Sequence, residues 1–176
     1  YVSINAYVRA DDKRFDNKVE KINVPEVTIA TMDAEISSII AKADFPNAKT
    51  LSIPSTGSQS QMLLNVATGK ADVTFSDIAT GQEYMSKNPG KLTVLLGGKA
   101  IRSFANTIAL GTGEERLKSL LDTGTEELLQ SGTIEKILPR YEQYAESLLR
   151  GAKPFDTSPQ RYMPKSARPV AEKSIK

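Results

Sequence analysis

The 176-residue chain contains no cysteine, no histidine and no tryptophan. Without cysteine, neither disulfides nor thiolate metal sites can form, and an oxidising compartment is allowed but not indicated. Without histidine, the chain lacks the commonest general base and the commonest zinc ligand, which argues against hydrolase and metalloenzyme chemistry. No apolar run approaches the ~18 residues that a membrane-spanning helix needs. We therefore expect a protein that is not an enzyme and that uses no metal and no cofactor.

Charge is unevenly distributed, although the formal net charge is only +2. Residues 150–176 carry seven basic and two acidic residues, which gives +5 and leaves −3 for residues 1–149. These basic residues are dispersed and lack a helical or aromatic pattern, so we interpret the segment as a solvated extension that binds no nucleic acid. We predict an α/β lobe over residues 1–150 and a basic, proline-rich extension over residues 151–176.

Segments typical of strands alternate with segments typical of helices. Apolar alternation and β-branched residues predict six strands, at 2–9, 27–31, 50–54, 73–75, 92–96 and 105–110. Helical periodicity predicts five helices, at 34–43, 59–68, 78–87, 114–130 and 133–149. This order predicts an α/β fold with a mostly parallel sheet and helices on both faces. Because the first strand begins with the chain, we expect a segment of a larger protein.

Asp77 is the first candidate for a functional residue. Gly69 ends a helix, Val73 and Phe75 alternate inward, and Asp77 follows at the carboxyl end of that strand. Ligands of open α/β sheets bind at such ends, where a carboxylate can accept hydrogen bonds from an ammonium group. The same carboxylate could instead cap the helix that begins at Ile78. Both interpretations stay open at this point.

Two further junctions carry polar groups. Asp33 is predicted to cap a helix beginning at Ala34, whose free N–H groups could bind an anion, although the charge of Asp33 would repel one. Ser55 and Thr56 begin a hydroxyl-rich strand-to-helix junction that lacks the spacing of a phosphate-binding loop. Capping and turn formation are the simpler interpretation of both junctions.

Four stretches carry a resemblance to a known family: Tyr1–Arg9, Val27–Ile29 before a helix start, Gln61–Ser76, and Leu117–Tyr141. In order and spacing they resemble the second lobe of bacterial extracellular solute-binding proteins of the amino-acid (type II periplasmic) family. Members of that family are the receptors of ABC importers. The resemblance implies a periplasmic or other extracytoplasmic location, a membrane permease as partner, and a first lobe that is missing from this chain.

The resemblance also implies roles for individual residues. Asp77 stands where the family often places the acid that holds a ligand's amino group. The family's glycine-hydroxyl motif is replaced by Met32-Asp33-Ala34, so hydroxyl donors are lost and an acid is gained. We therefore expect a cationic or polyol-like solute. The predicted ligand-binding residues are Asp77, Asp33, Ala34 and Met32, with Ser55 and Thr56 as secondary contacts.

The leading hypothesis is a lobe that closes on a small polar solute, such as an amino acid or amine. The hinge would lie in two crossing strands, Ile4–Arg9 and Ser103–Ile108. The alternatives are a ligand-sensing domain of a signalling receptor and, less favoured because histidine is absent, a dehydratase-like enzyme of the same fold. An isolated lobe is also expected to dimerise by exchanging the strand Tyr1–Arg9.

Overall fold

The computed structural model describes residues 1–15, 18–144 and 147–149. These residues fall into two compact units. The first comprises Tyr1–Ala109 and Ile137–Leu149, and the described part of the second is Leu110–Lys136. The predicted extension over residues 151–176 lies outside the described residues, so its boundary stays a prediction.

The first unit is built on one six-stranded sheet. Its strands, in chain order, are β1 (Val2–Arg9), β2 (Thr28–Met32), β3 (Lys49–Ile53), β4 (Val73–Asp77), β5 (Leu92–Val94) and β6 (Arg102–Phe104). Their spatial order is β3-β2-β4-β1-β5, with β6 also paired to β1. Strand β2 is parallel to β3 and β4, whereas β1 is antiparallel to β4, β5 and β6.

Helices cover both faces of this sheet, as predicted. The helices of the chain are α1 (Ile36–Asp44), α2 (Gln59–Ala67), α3 (Ile78–Lys87), α4 (Glu115–Gln130) and α5 (Thr133–Tyr141). Helix α1 packs on one face in a first core, whose members include Ile40, Phe45 and Phe75. Helices α2 and α3 pack on the opposite face in a second core around Tyr7 and Met62. Successive strand residues point to opposite faces, which is why β1 contributes to both cores.

The prediction of an α/β fold is confirmed, with one correction to the sheet. Strands β2 to β6 all point the same way, but β1 runs against them and makes three of the five pairings antiparallel. Strand β1 leads into a long connection that contains only a short 3₁₀ turn, Val19–Ile22, and not a crossover helix. Without such a helix, β1 is not part of a βαβ unit, and no rule requires it to be parallel.

Two predicted elements near the carboxyl end were wrong. The strand predicted at 105–110 is absent, and β6 ends at Phe104, because Phe104 already pairs with Val2 at the start of β1. Helix α5 ends at Tyr141 and does not reach residue 149; it contains Pro139, which cannot donate a backbone hydrogen bond. The chain returns to β1 instead, where Leu148 forms a bridge with Val2.

Tyr7 packs tightly against helix α3. Its side chain is 1% exposed in the second core, and its ring lies over Gly81. A methyl group at Gly81 would lie 2.1 Å from both Cζ and the hydroxyl oxygen of Tyr7. Only glycine allows this close approach of helix and strand.

We expect Gly81→Ala to lower the free energy of unfolding, because the buried Tyr7 ring has no room to move aside. Overpacking of a core costs about 1–3 kcal/mol, which urea denaturation resolves. Gly124→Ala in α4 is the matched control, since a methyl group there meets no atom within 4 Å and alanine favours a helix. An unchanged stability of Gly81→Ala, compared with this control, would contradict the packing of Tyr7 on α3.

Candidate functional site

Helix starts gather at one edge of the sheet. Because β2, β3 and β4 are parallel, their carboxyl ends meet there, and each is followed by a helix, α1, α2 or α3. Helix N-termini present unpaired backbone N–H groups, so side chains that follow these strands can both cap a helix and face a ligand. The candidate site is built at this edge.

Asp77 is the last residue of β4 and the N-cap of α3. Its Oδ1 accepts a hydrogen bond from the Thr80 backbone N–H at 2.8 Å, and its Oδ2 accepts one from the Thr80 hydroxyl at 2.8 Å. The predicted cap at Asp77 is therefore confirmed. A carboxylate offers about four acceptor positions, and the contacts with Thr80 use two of them. Capping thus leaves acceptor capacity for a ligand.

The predicted cap at Asp33 was wrong. Helix α1 begins at Ile36, and its N-cap is Glu35, whose Oε2 accepts hydrogen bonds from the Ser37 N–H and hydroxyl at 3.0 and 2.7 Å. Ala34 has a φ of 57°, in the left-handed region, which delays the helix by two residues. Asp33 is exposed, and its carboxylate accepts a hydrogen bond from Ser52 instead.

A chain of side-chain hydrogen bonds connects the starts of all three helices. The Gln59 Nε2 donates to Glu35 Oε1 at 3.0 Å, and Gln59 Oε1 lies 3.2 Å from the Thr80 hydroxyl. That hydroxyl also lies against Asp77, and because it carries one proton it donates to one of the two at a time. Glu35 and Asp77 are thereby held at fixed positions around Gln59.

A cavity of about 430 Å³ opens beside this chain, entirely within the first unit. Such a volume lies in the range of small-molecule sites. Its polar lining includes Glu35, Gln59, Ser76, Asp77 and Glu142. Its apolar lining includes Val2, Ile4, Ile36, Phe75, Phe104 and Leu148.

The charge of this cavity has one sign. Three acids, Glu35, Asp77 and Glu142, line it, and none of its described lining residues is lysine or arginine. A cationic group entering the cavity would gain charge-assisted hydrogen bonds that are stronger than neutral ones. The arrangement favours an ammonium group over an anion.

Two buried side chains adjoin Asp77. Ser76 belongs to the lining of the cavity, but its hydroxyl is buried away from the open space and has no hydrogen-bond partner among the described residues. Burial, and to a lesser degree the charge of Asp77, raise the pKa of the Tyr7 phenol. Tyr7 therefore stays protonated and donates to the Asp77 carbonyl at 3.3 Å.

Of the predicted ligand residues, only Asp77 lines the cavity. Met32 is buried in the second core, whereas Ala34, Ser55 and Thr56 are exposed on turns at the same edge. Sequence reasoning missed Glu35, Gln59 and Ser76. The sequence offered one indication of Glu35, because it is a second acid just before α1, but its role depends on the turn at Ala34. Nothing in the sequence distinguishes Gln59 and Ser76 from ordinary surface or strand residues.

Along residues 1–15, 18–144 and 147–149, no group of three or more acidic residues is arranged to hold a metal ion. No helix in the same ranges is long and apolar enough to cross a membrane.

Substitutions at Asp77 should separate its cap from its charge. Asp77→Ala removes both acceptors and should lower the free energy of unfolding by about 1 kcal/mol. Asp77→Asn keeps a good capping side chain and should stay within a few tenths of a kcal/mol of the native protein. Thermal and urea unfolding of both variants measure this difference. Equal destabilisation by both would mean that the charge, and not the cap, stabilises this edge.

Comparisons with known proteins give matches only among solved structures. No protein-family model matches the chain, and no curated protein is significantly similar to it. An ancestral amino acid-binding protein, a precursor of cyclohexadienyl dehydratase, matches with a TM-score of 0.63 and 18% identity over 80% of this chain and 56% of that chain. An ancestral arginine-binding protein bound to glutamine matches with a TM-score of 0.63 and 18% identity, over 82% of this chain and 60% of that chain.

A third match is an amino acid ABC transporter substrate-binding protein from Streptococcus pneumoniae bound to L-arginine. It gives a TM-score of 0.60 and 21% identity, over 82% of this chain and 58% of that chain. The chain thus spans less than two thirds of the length of these structures. The resemblance in the sequence is confirmed at the level of the fold: the chain has the periplasmic-binding-protein-like α/β fold of amino-acid ABC transporter substrate-binding proteins.

Proposed function

We propose that this chain is a solute-binding lobe whose acidic cavity holds the amino group of an amino acid or amine. The observation that carries the proposal is the cavity itself, whose lining includes Glu35 and Asp77, connected through Gln59 and Thr80, and whose described lining includes no lysine or arginine. The fold supports it, because the matched structures are described as amino-acid-binding proteins.

Each lining group has a role in this proposal. Asp77 accepts hydrogen bonds from the ligand ammonium group, and Glu35 adds a second charged acceptor. The apolar lining, which includes Phe75 and Ile36, contacts the carbon skeleton. A solute without the amino group would form no charge-assisted hydrogen bond with either carboxylate, so the cavity would bind it more weakly.

The other predicted ligand residues keep a secondary place. Four of them lie on turns at the same edge but outside the cavity lining: Asp33, Ala34 with its N–H, Ser55 and Thr56. They would contact a solute that extends beyond the cavity. Met32 is buried, so it would support this edge without contacting the solute through its side chain.

We further propose that the lobe belongs to the receptor of an ABC importer, which acts outside the cytoplasm and delivers its solute to a membrane permease. The length of the matched structures supports a second lobe, since each extends well beyond the part that this chain covers. That lobe would close the open side of the cavity and supply the partner for a ligand carboxylate. A hinge between the lobes would use β1 and the segment that begins with β6.

A binding role is preferred over an enzymatic one. One matched protein is described as the precursor of a dehydratase, yet it is itself described as amino acid-binding. The chain has no histidine. Of the acids that line the cavity, Glu35 accepts a hydrogen bond from Ser37, and Asp77 accepts one from Thr80. Their arrangement suits charge recognition better than proton transfer at a reacting group.

The test is a solute titration followed by nuclear magnetic resonance of the 176-residue chain. Arginine, putrescine, glutamate and glucose cover cationic, anionic and neutral solutes, and this method detects affinities as weak as about 1 mM. We expect the cationic solutes to shift the backbone amides of Glu35, Gln59, Asp77 and Thr80. Asp77→Asn should weaken this binding by about tenfold or more, because one charge-assisted contact is lost.

Glu83→Gln is the matched control, since Glu83 is an exposed acid of α3 that does not line the cavity. It should leave the affinity for cationic solutes unchanged. Shifts confined to other surfaces, or an equal loss of affinity in both variants, would refute the assigned site. Preferred binding of glutamate would refute the assigned charge.

A further inference from the structure

Two acceptors at the candidate edge compete for one proton. The Thr80 hydroxyl carries a single proton, and its oxygen lies 2.8 Å from Asp77 Oδ2 and 3.2 Å from Gln59 Oε1. The shorter contact is with a carboxylate, and a charged acceptor forms the stronger hydrogen bond. Thr80 therefore donates to Asp77, and the Gln59 carbonyl receives no proton from it.

Glu35 determines which way the Gln59 amide points. An ionised carboxylate can only accept hydrogen bonds, so the Gln59 Nε2, and not its oxygen, faces Glu35 Oε1 at 3.0 Å. The amide cannot turn over without losing this contact. The Gln59 carbonyl is thus held on the side of Thr80, as an acceptor in need of a donor.

The other donors of this edge are used elsewhere. The Ser37 N–H and hydroxyl donate to Glu35, and the Thr80 N–H donates to Asp77 Oδ1. Within the part of the chain that the structure describes, no hydrogen bond brings a further donor to the Gln59 carbonyl. Gln59 is half-buried and lines the cavity, so a solute in the cavity can supply the missing donor.

We propose that the cavity selects its cationic solute by N–H donors as well as by charge, and that Gln59 is the residue that sets this preference. The preference concerns the same cavity and therefore rests on the proposed function. A primary ammonium group has three N–H donors. One of them can pair with Gln59 Oε1, or it can take the place of Thr80 at Asp77 Oδ2 and leave the Thr80 proton for Gln59. Both routes complete the hydrogen bonds of this edge.

A fully methylated ammonium group has the same charge but no N–H donor. Water can donate to Gln59 in the free protein, and a solute that displaces this water without donating leaves the carbonyl unpaired. The attraction to Asp77 and Glu35 is common to both kinds of cation, so it does not distinguish them. The solute class is therefore that of ammonium or guanidinium groups that carry N–H, and not quaternary amines.

The test compares two cations of equal charge and equal chain length, n-butylamine and butyltrimethylammonium. Both are titrated into the 176-residue chain and followed by nuclear magnetic resonance, with the backbone amides of Glu35 and Asp77 as reporters of the site. We expect the native protein to bind n-butylamine at least about tenfold more tightly, because only this cation leaves no acceptor unpaired.

Substitutions at Gln59 and Thr80 should affect this preference differently. Gln59→Met keeps the length of the side chain but removes the acceptor, so the preference should fall to about threefold or less. Thr80→Val removes the hydroxyl proton but keeps the N–H that Asp77 caps. Two acceptors then lack a donor, so the preference should be at least as large as in the native protein.

Gln61→Met is the matched control. Gln61 is exposed on the same helix, α2, and does not line the cavity, so the preference should stay at its native value. Urea denaturation establishes that each variant is folded. If Gln59→Met does not fold, Thr80→Val decides, and a loss of the preference in that variant would overturn the role of Gln59.

The remaining outcomes separate this proposal from the proposed function. Equal affinity of the native protein for the two cations would overturn selection by N–H donors but leave the acidic cavity as a cation site. Failure of both cations to shift Glu35 and Asp77 would overturn the proposed function as well. A preference that survives Gln59→Met would also overturn the role of Gln59, because methyl groups excluded only by their size would be excluded with either side chain.

Discussion

The pairing of β1 in the middle of the sheet is the constraint on which the first unit depends. This strand alone connects β4 to β5 and β6, so the sheet would divide without it. Its Ile4, Ala6 and Val8 enter the first core, and its Tyr7 enters the second. One eight-residue strand therefore fixes both cores through backbone hydrogen bonds and side-chain burial together.

The same strand positions the candidate site. The register of β1 and β4 places Ile4 opposite Asp77, so the amino end of β1 lies beside the carboxyl end of β4. Tyr7 reinforces this, because its hydroxyl donates to the Asp77 carbonyl while its ring lies over Gly81. Tyr7 of β1 thus contacts the start of α3 at two points, the carbonyl of its N-cap residue and the backbone of Gly81. A carboxylate at such a rigid position needs little reorganisation when a ligand binds.

The two interpretations of Asp77 are compatible for this reason. Capping by Asp77 uses the Thr80 N–H and hydroxyl, and these bonds hold the carboxylate of a residue that also lines the cavity. A residue that only capped α3 would need no neighbour such as Glu35 connected to it through Gln59. The connected chain of hydrogen bonds is what distinguishes this edge from three independent helix caps.

Sequence patterns predicted what depends on local physics. Apolar periodicity and Gly69 gave the helix before β4, and the inward alternation of Val73 and Phe75 gave the strand that ends at Asp77. These patterns failed where the structure depends on pairing between strands that are far apart in the chain. The direction of β1 follows from three partners far along the chain, and β6 stops where β1 has no further residues to pair.

Backbone conformation limited the site prediction in the same way. The left-handed turn at Ala34 moved the N-cap from Asp33 to Glu35, and no rule of helix capping favours alanine in that conformation. Gln59 and Ser76 are part of the site only because the sheet places them beside residues that are distant in the sequence. Sequence could therefore identify the edge and one acid, but not the set of groups around it.

The acidity of the cavity also limits which ligands it can hold unaided. Three acids and, among the described residues, no lysine or arginine line the cavity, so an ammonium group that enters it can form charge-assisted hydrogen bonds. A zwitterionic amino acid brings a carboxylate of its own, for which the described lining provides no cationic partner. Under the proposed function, this lining would hold the ammonium end of a solute, whereas discrimination among amino acids would require groups from outside the cavity.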